Sequence, residues 1–277
     1  MTIDNAGLDS ASAIPGGAAP RLEAFAGLVP LVYALLGLGT ILLVWQAAVV
    51  AFRIPDYTLP GVGAVFRAIV QERNTLAAAV AVTTVEIVLS FIAAMVLGIA
   101  AAIALHWWPR VAAVVWPLII FAKITPQVAV APLLIVVLGL GLTSKVSIAV
   151  LLAFFPALVA TYVGFKSVPA DVLELARSMR MGRAGTFLHF ELPASLPHIF
   201  SGAKIAMGSS VIGAIVAEFI SSNAGLGYTL LVAMGSIETA LVMAVIVILG
   251  LEGSILYWLV SLAEHFAIRW HVSQRRR

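Results

Sequence analysis

Charged positions are so sparse along this chain that their absence sets the pattern. Residues 28–52 carry no charge, 75–105 only Glu86, 111–143 only Lys123, 146–165 none, 198–220 only Lys204 and Glu218, and 239–263 only Glu252. A helix of roughly 20 apolar residues crosses a hydrocarbon layer about 30 Å thick. Lipid admits no open strand edges, because nothing there satisfies a free backbone group. The pattern predicts an all-α polytopic membrane protein with about six transmembrane helices. The third run is broken by Pro117, Pro126 and Pro132. It fits one kinked span, or a helix followed by a second broken segment, and is taken here as one interrupted span.

Two intervals between the runs have a pattern of their own. In "YTLPGVGAVFRAIVQER", residues 57–73, the apolar positions Val62, Val65, Phe66 and Ile69 follow amphipathic-helix spacing. A helix lying along the membrane surface is expected there. Residues 166–197 are far longer than the two to eight residues that join packed helices. Within them Pro169 and Asp171 suit a helix start. Val172, Leu175, Ala176 and Met179 then share a face, and Glu174 and Arg177 share another at pairing distance. Gly182 and Gly185 loosen the helix, and Phe187, Leu188 and Phe190 resume an apolar face. Leu192-Pro193 and Leu196-Pro197 are expected to turn the chain back into the membrane. A platform that packs only on its own membrane helices and a knob for a soluble partner both fit this pattern.

Composition agrees with the membrane reading. The chain is 62% hydrophobic and 10% charged, with mean hydropathy +1.10, against about 25% charged residues in a soluble domain. With no cysteine, disulfides, thiolate metal sites and cysteine nucleophiles are excluded. The distribution of basic residues predicts sidedness. With six spans, Arg21, Arg110, Lys166, Arg177, Arg180, Arg183, Arg269 and Arg275–Arg277 fall on one side, and only Arg53, Arg67, Arg73 and Lys145 on the other. Both termini and the long loop are therefore expected in the cytoplasm. Residues 1–27 are expected to form a disordered tail without signal-peptide character, 28–265 the membrane domain, and 266–277 a basic tail.

Charges inside spans are costly and usually face the bundle or a watery path. Glu86 lies on a polar strip with Thr83, Thr84 and Ser90. Lys123, Thr125 and Gln127 gather at the break in the third run, where unwound backbone suits a cavity wall. Ser209, Ser210 and Glu218 lie on the fifth run. Glu86, Lys123, Gln127, Ser209, Ser210 and Glu218 are candidates for a translocation path. The structural alternative pairs Glu86 with Lys123 or Lys204. "SSNAGLGY", residues 221–228, reads as an external loop with glycine turns. Gly202, Gly213 and Gly98 suit close helix packing.

The stretch Glu174-Leu175-Ala176, a polar turn and Leu192-Pro193 resembles the "EAA" loop of permease subunits of bacterial ABC importers. "ITPQVAVAPLLIVVLGLGLTSKVSIAVLLAFFPALVATYVGF" and "AEFISSNAGLGYTLLVA" are similar to the nitrate/sulfonate/taurine-type branch, which includes importers of thiamine and riboflavin precursors. The resemblance covers residues 55–265. It implies a type I importer core in the inner membrane, paired as a homodimer and driven by two separate ATP-binding subunits that carry ATP and magnesium. An external binding protein would deliver the solute. No cofactor, nucleic acid or catalytic residue is expected on this chain, which lacks any G-x-x-x-x-G-K-[ST] sequence. Carried over to this chain, the coupling residues are Glu174, Ala176, Arg177, Arg180, Gly182, Leu192 and Pro193. Arg180 stands where the family usually has glycine; the turn is expected to shift or tighten without vanishing, leaving Arg180 able to continue the helix. An acid at position 86, where several relatives carry arginine, leans the solute away from anions toward a vitamin precursor. The alternative is an ion-coupled secondary transporter, with Glu86 or Glu218 carrying a proton.

Overall fold

The computed structural model describes residues 20–268, with side chains at 32 and 33 and from residue 36 onward. The predicted tails at 1–19 and 269–277 lie outside the described residues. Two compact units divide the chain at Pro55. The first contains helix α1 (Pro20–Ala51), which spans the first apolar run and begins ahead of it, within the stretch expected as tail.

The second unit contains α2 (Val62–Gln71), α3 (Arg73–Trp107), α4 (Pro109–Ile124), α5 (Ala131–Leu138), α6 (Leu142–Phe165), α7 (Ala170–Ser178), α8 (Arg183–Thr186), α9 (Leu192–Ser221), α10 (Leu226–Gly235) and α11 (Thr239–Ala267). No strand occurs among the described residues. Helices α3, α6, α8–α9 together and α11 are long and apolar enough to cross a membrane. The pair α4 and α5 passes the same test only when taken together, bent by 87° at its break, as a broken span or a re-entrant loop. Its break falls at Thr125–Pro126, where the proline lacks the N–H that would continue the helix. Residues Gln127–Val130 form a 3-10 turn in the gap. The interrupted run expected over residues 111–143 is therefore a helix, a 3-10 turn and a short helix, with Gly139 and Gly141 leading into α6.

Helix α6 is the axis of the bundle and packs against both α3 and α9. Small residues allow this. A Cβ added at Gly213 of α9 would lie 2.5 Å from Ala149 Cα, one at Gly202 2.5 Å from Ala160 Cβ, and one at Gly98 of α3 2.7 Å from Ala157 Cβ. In lipid, where no hydrophobic force joins helices, such backbone proximity supplies the packing. Helix α4 touches the rest through Ala112 and Ile119 alone among its fully buried residues. Its other faces, with Val114, Leu118, Phe121 and Ile124, stay exposed. At one end of the bundle, Leu105, Phe165 and Phe187 form an aromatic-rich core beneath the long loop. At the other end, Leu76, Leu226, Leu230, Val245 and Leu249 pack α10 against α3 and α11. The surface helix expected in residues 57–73 is α2, which buries Val65 and packs on α11.

Candidate functional site

The long loop is a structured platform. Its first helix, α7, turns Ala176 fully inward. Met179 closes the helix, and the N–H of Met181 bonds the carbonyl of Ala176 at 3.1 Å. Arg180 does not continue the helix as expected. It takes the left-handed turn itself at φ 55°, a conformation that costs a non-glycine residue roughly 1–2 kcal/mol. The closing bond from Met181 needs a reversal at this position whichever residue stands there. Gly182 instead caps α8 at φ −70° with open space around it.

The expected apolar face of α7 also divides. Ala176 is buried and Val172 half-buried, whereas Leu175 and Met179 point outward with 55% and 62% exposure. Glu174, Arg177 and Arg180 are exposed too. Glu174 and Arg177, expected to pair, are joined by no ion pair. Leu188 adds a further exposed apolar side chain.

Beneath this face the platform is fastened to the bundle. The Arg183 guanidinium donates to the carbonyls of His106 at 3.2 Å and Trp107 at 2.7 Å, and stands over the Trp107 ring at 5.2 Å. It thereby satisfies carbonyls that the end of α3 leaves without helical partners. His106 Nε2 meets Glu191 at 2.7 Å. Phe187 is buried among His106, Trp107 and Phe165, with ring centroids 5.7, 6.1 and 5.2 Å away. Arg183 entered the sequence reading only as a loop charge, and neither His106 nor Glu191 was given a role in it.

Leu192 and Pro193 do not turn the chain as expected. The helix runs from Arg183 through to Ser221. A π-turn over Phe187–Glu191 precedes Pro193, whose ring would otherwise strike the carbonyl four residues back. The widened turn absorbs the proline without ending the helix.

At the far end of the bundle, a second set of residues meets. Lys145, read from sequence as a loop residue, lies in the first turns of α6, bonds Glu86 and donates to Ser222 Oγ at 3.1 Å. Glu86 therefore pairs with neither Lys123 nor Lys204. Lys204 pairs with Glu264. Thr83 donates to Glu218 Oε1 at 2.7 Å and accepts from the N–H of Leu226 at 2.8 Å. The N–H of Gly227 donates to Glu218 Oε2. Glu218 is completely buried and lies at the positive end of α10, whose free N–H groups favour a carboxylate. The glycines follow from this. Gly225 has φ +104°, and a Cβ there would lie 2.0 Å from Glu218 Oε1, while one at Gly227 would lie 2.8 Å from Oε2. The stretch read as an external loop is therefore a loop closing directly into α10. Thr84 donates to Glu252 at 2.6 Å.

Of the expected path residues, Glu86, Ser210 and Glu218 are buried within the single chain. Ser209 is half-exposed and donates to the Ile205 carbonyl at 3.1 Å. Gln127 is half-exposed in the 3-10 turn, and Lys123 is exposed at the end of α4. Among the described residues no three acidic or histidine side chains gather as for a metal ion.

The profile of the binding-protein-dependent transport system inner membrane component family matches residues 94–273. The chain belongs to that family. This permease is 31% identical, over 85% of its length and 93% of the relative, to a probable ABC transporter permease protein of Haemophilus influenzae. It is 34% identical to a formylaminopyrimidine transport permease protein of Halalkalibacterium halodurans, over 72% of this chain and 78% of that one. A riboflavin transport system permease protein of Chloroflexus aurantiacus is 36% identical over 57% of this chain and 59% of its own. The permease is a multi-pass inner-membrane protein and the membrane-spanning subunit of an ABC importer; it is not itself catalytic.

Proposed function

We propose that this permease, as a homodimer, forms the path for a small polar organic solute and receives the work of two separate ATP-hydrolysing subunits through α7. The observation that carries this reading is the construction of the loop. On α7 and its closing turn Leu175, Met179, Glu174, Arg177 and Arg180 are exposed, mixing apolar and charged side chains that make no ion pair within the described residues, and Leu188 is exposed further on. Arg183, Phe187 and the His106–Glu191 pair tie the underside of the loop to α3 and α6. Apolar anchors ringed by arginine suit a protein partner. A firm underside passes displacement onward. The loop and termini are cytoplasmic in this reading, and an external binding protein meets the end that carries α10. The relatives' names favour a pyrimidine or flavin precursor as solute, with a sulfonate, nitrate or taurine as the alternative.

Within each copy, Lys123, Gln127 and Ser209 face the path. Glu86, Ser210 and Glu218 stand behind it, Glu86 and Glu218 holding α10 in place. The ion-coupled alternative requires a carboxylate that opens to water from each side in turn. Glu86 and Glu218 are instead buried and bonded.

The test is co-purification of the ATP-hydrolysing subunit with Glu174→Arg and Leu175→Arg variants. Both positions are exposed, so the permease itself is expected to fold and elute unchanged. Recovery of the partner and coupled ATP hydrolysis should fall at least tenfold. Unchanged recovery with unchanged hydrolysis would overturn the docking role of α7.

A further inference from the structure

The acids inside the described spans are all bonded, two of them to cations. Glu86 is joined to Lys145, Glu264 to Lys204, Glu252 to the Thr84 hydroxyl, and Glu218 to Thr83 and the amide of Gly227. Two cations in the described spans have no such partner, Arg110 and Lys123; Arg110 is the second residue of α4, at its start, whereas Lys123 lies in its last turn. Lys123 makes no ion pair or hydrogen bond, and its side chain is exposed. It lies about 21 Å along α4 from Pro109 at 1.5 Å per residue, inside the apolar run of residues 111–143. A lysine facing acyl chains near the middle of a span costs at least about 2.5–3.5 kcal/mol. Lys123 therefore faces water or a polar partner. It also stands at the break between α4 and α5, where the backbone of residues 125–127 leaves the helix and the half-exposed Gln127 follows.

Resting on the permease reading above, we propose that Lys123 is the electrostatic selectivity determinant of the path. It draws anionic or carbonyl oxygen toward the α4–α5 break and repels cations. Glu86 does not oppose it, because Lys145 already neutralises that carboxylate. The acid at position 86 thus gives no ground for excluding anions. The solute class is a small molecule that presents a sulfonate, carboxylate or ring carbonyl oxygen to an ammonium, with Gln127 supplying an amide donor beside it.

The chain contains no cysteine, so Gln127→Cys introduces the single thiol of the permease. Full-length permease is purified with its ATP-hydrolysing subunits in lipid nanodiscs. It is treated with anionic sulfonatoethyl and cationic trimethylammonioethyl methanethiosulfonate, and modification of this chain is followed by intact mass. Rates are divided by those of free mercaptoethanol. The anionic reagent is expected to react faster, and adding Lys123→Gln should lower the anion-to-cation ratio about tenfold, as one charge near 10 Å in a partly hydrated site predicts. Lys123→Arg should keep the ratio, and Lys123→Glu should invert it. Thr125→Cys provides the same comparison if Gln127→Cys fails to assemble. A thiol unreactive to both reagents would show a lipid-facing break and overturn the proposal. A ratio untouched by Lys123→Gln would do the same, and would point to a carboxylate of the second copy as the lysine's partner. Co-recovery of the ATP-hydrolysing subunits reports separately on the permease reading, so an unchanged ratio with those subunits present refutes the role of Lys123 alone.

Discussion

Replacing Lys145 by Met is the most informative perturbation of the bundle. The side chain bonds Glu86, whose exposure is 1%, and donates to Ser222. Removing it leaves Glu86 without its cation in a site closed to water, with the Glu218 carboxylate as a near neighbour. Breaking a buried pair from one side costs about 3–5 kcal/mol. Glu86→Met should cost less, about 1–3 kcal/mol, since Lys145 keeps Ser222 and gains freedom to approach Glu218. The double variant replaces both charges by apolar groups and should lie within about 1 kcal/mol of the parent, giving a coupling energy of at least about 2 kcal/mol. Unfolding by sodium dodecyl sulfate in mixed micelles, followed by tryptophan fluorescence, measures all four corners of the cycle. A coupling energy below about 0.5 kcal/mol would refute the assignment of Lys145 and Glu86 as a mutually dependent pair. A Lys145→Met variant as stable as the parent would refute it equally.

Gly225→Ala should destabilise the bundle by at least about 2 kcal/mol, because the left-handed backbone penalty adds to a Cβ placed against Glu218; the same unfolding assay checks it, and Gly235→Ala, with open space around it, is the control. Gly213→Leu should prevent α9 from seating against Ala149 and abolish monodisperse elution, since the clash is with backbone. Arg183→Ala should leave the amount of recovered ATP-hydrolysing subunit within about twofold while lowering solute uptake per ATP hydrolysed, because it frees the underside of the loop without altering its outer face. Arg180→Gly should stabilise by about 1 kcal/mol through relief of the left-handed turn, read as a higher midpoint in the same denaturant.

Much of the fold is legible in spacing alone. Runs of twenty or more apolar residues announce α3, α6, α9 and α11, and the three prolines of the third run announce its break. Two things were not legible. The first is pairing between distant charges. Lys145 borders an apolar run, and nothing local distinguishes a lysine that ends a helix outside the bilayer from one that turns inward to meet Glu86, distant in sequence. The signal available was the adjoining polar strip of Thr83, Thr84 and Glu86, which required a cation from some other helix. The second is α10. Its residues are apolar but only ten long, and the glycines ahead of it favour a loop until Glu218 is seen to occupy the space their missing side chains leave. Arg180 was misread for a related reason. Helix propensity argues for continuing α7, but the tertiary closure at Met181 decides the turn.

The continuity of α8 with α9 has a mechanical corollary. From Arg183 to Ser221 the chain forms a 39-residue helical rod, about 58 Å long at 1.5 Å per residue. Its near tip is pinned to the end of α3 by Arg183 and Phe187, and its remote tip holds the carboxylate that caps α10. A swing of about 5° around the widened turn at Phe187–Glu191, about 48 Å from the remote tip, moves that tip by about 4 Å, roughly three-quarters of a helical pitch. A push delivered on one face of the membrane thus reaches the opposite face along a single continuous helix, with the widened turn as its fulcrum.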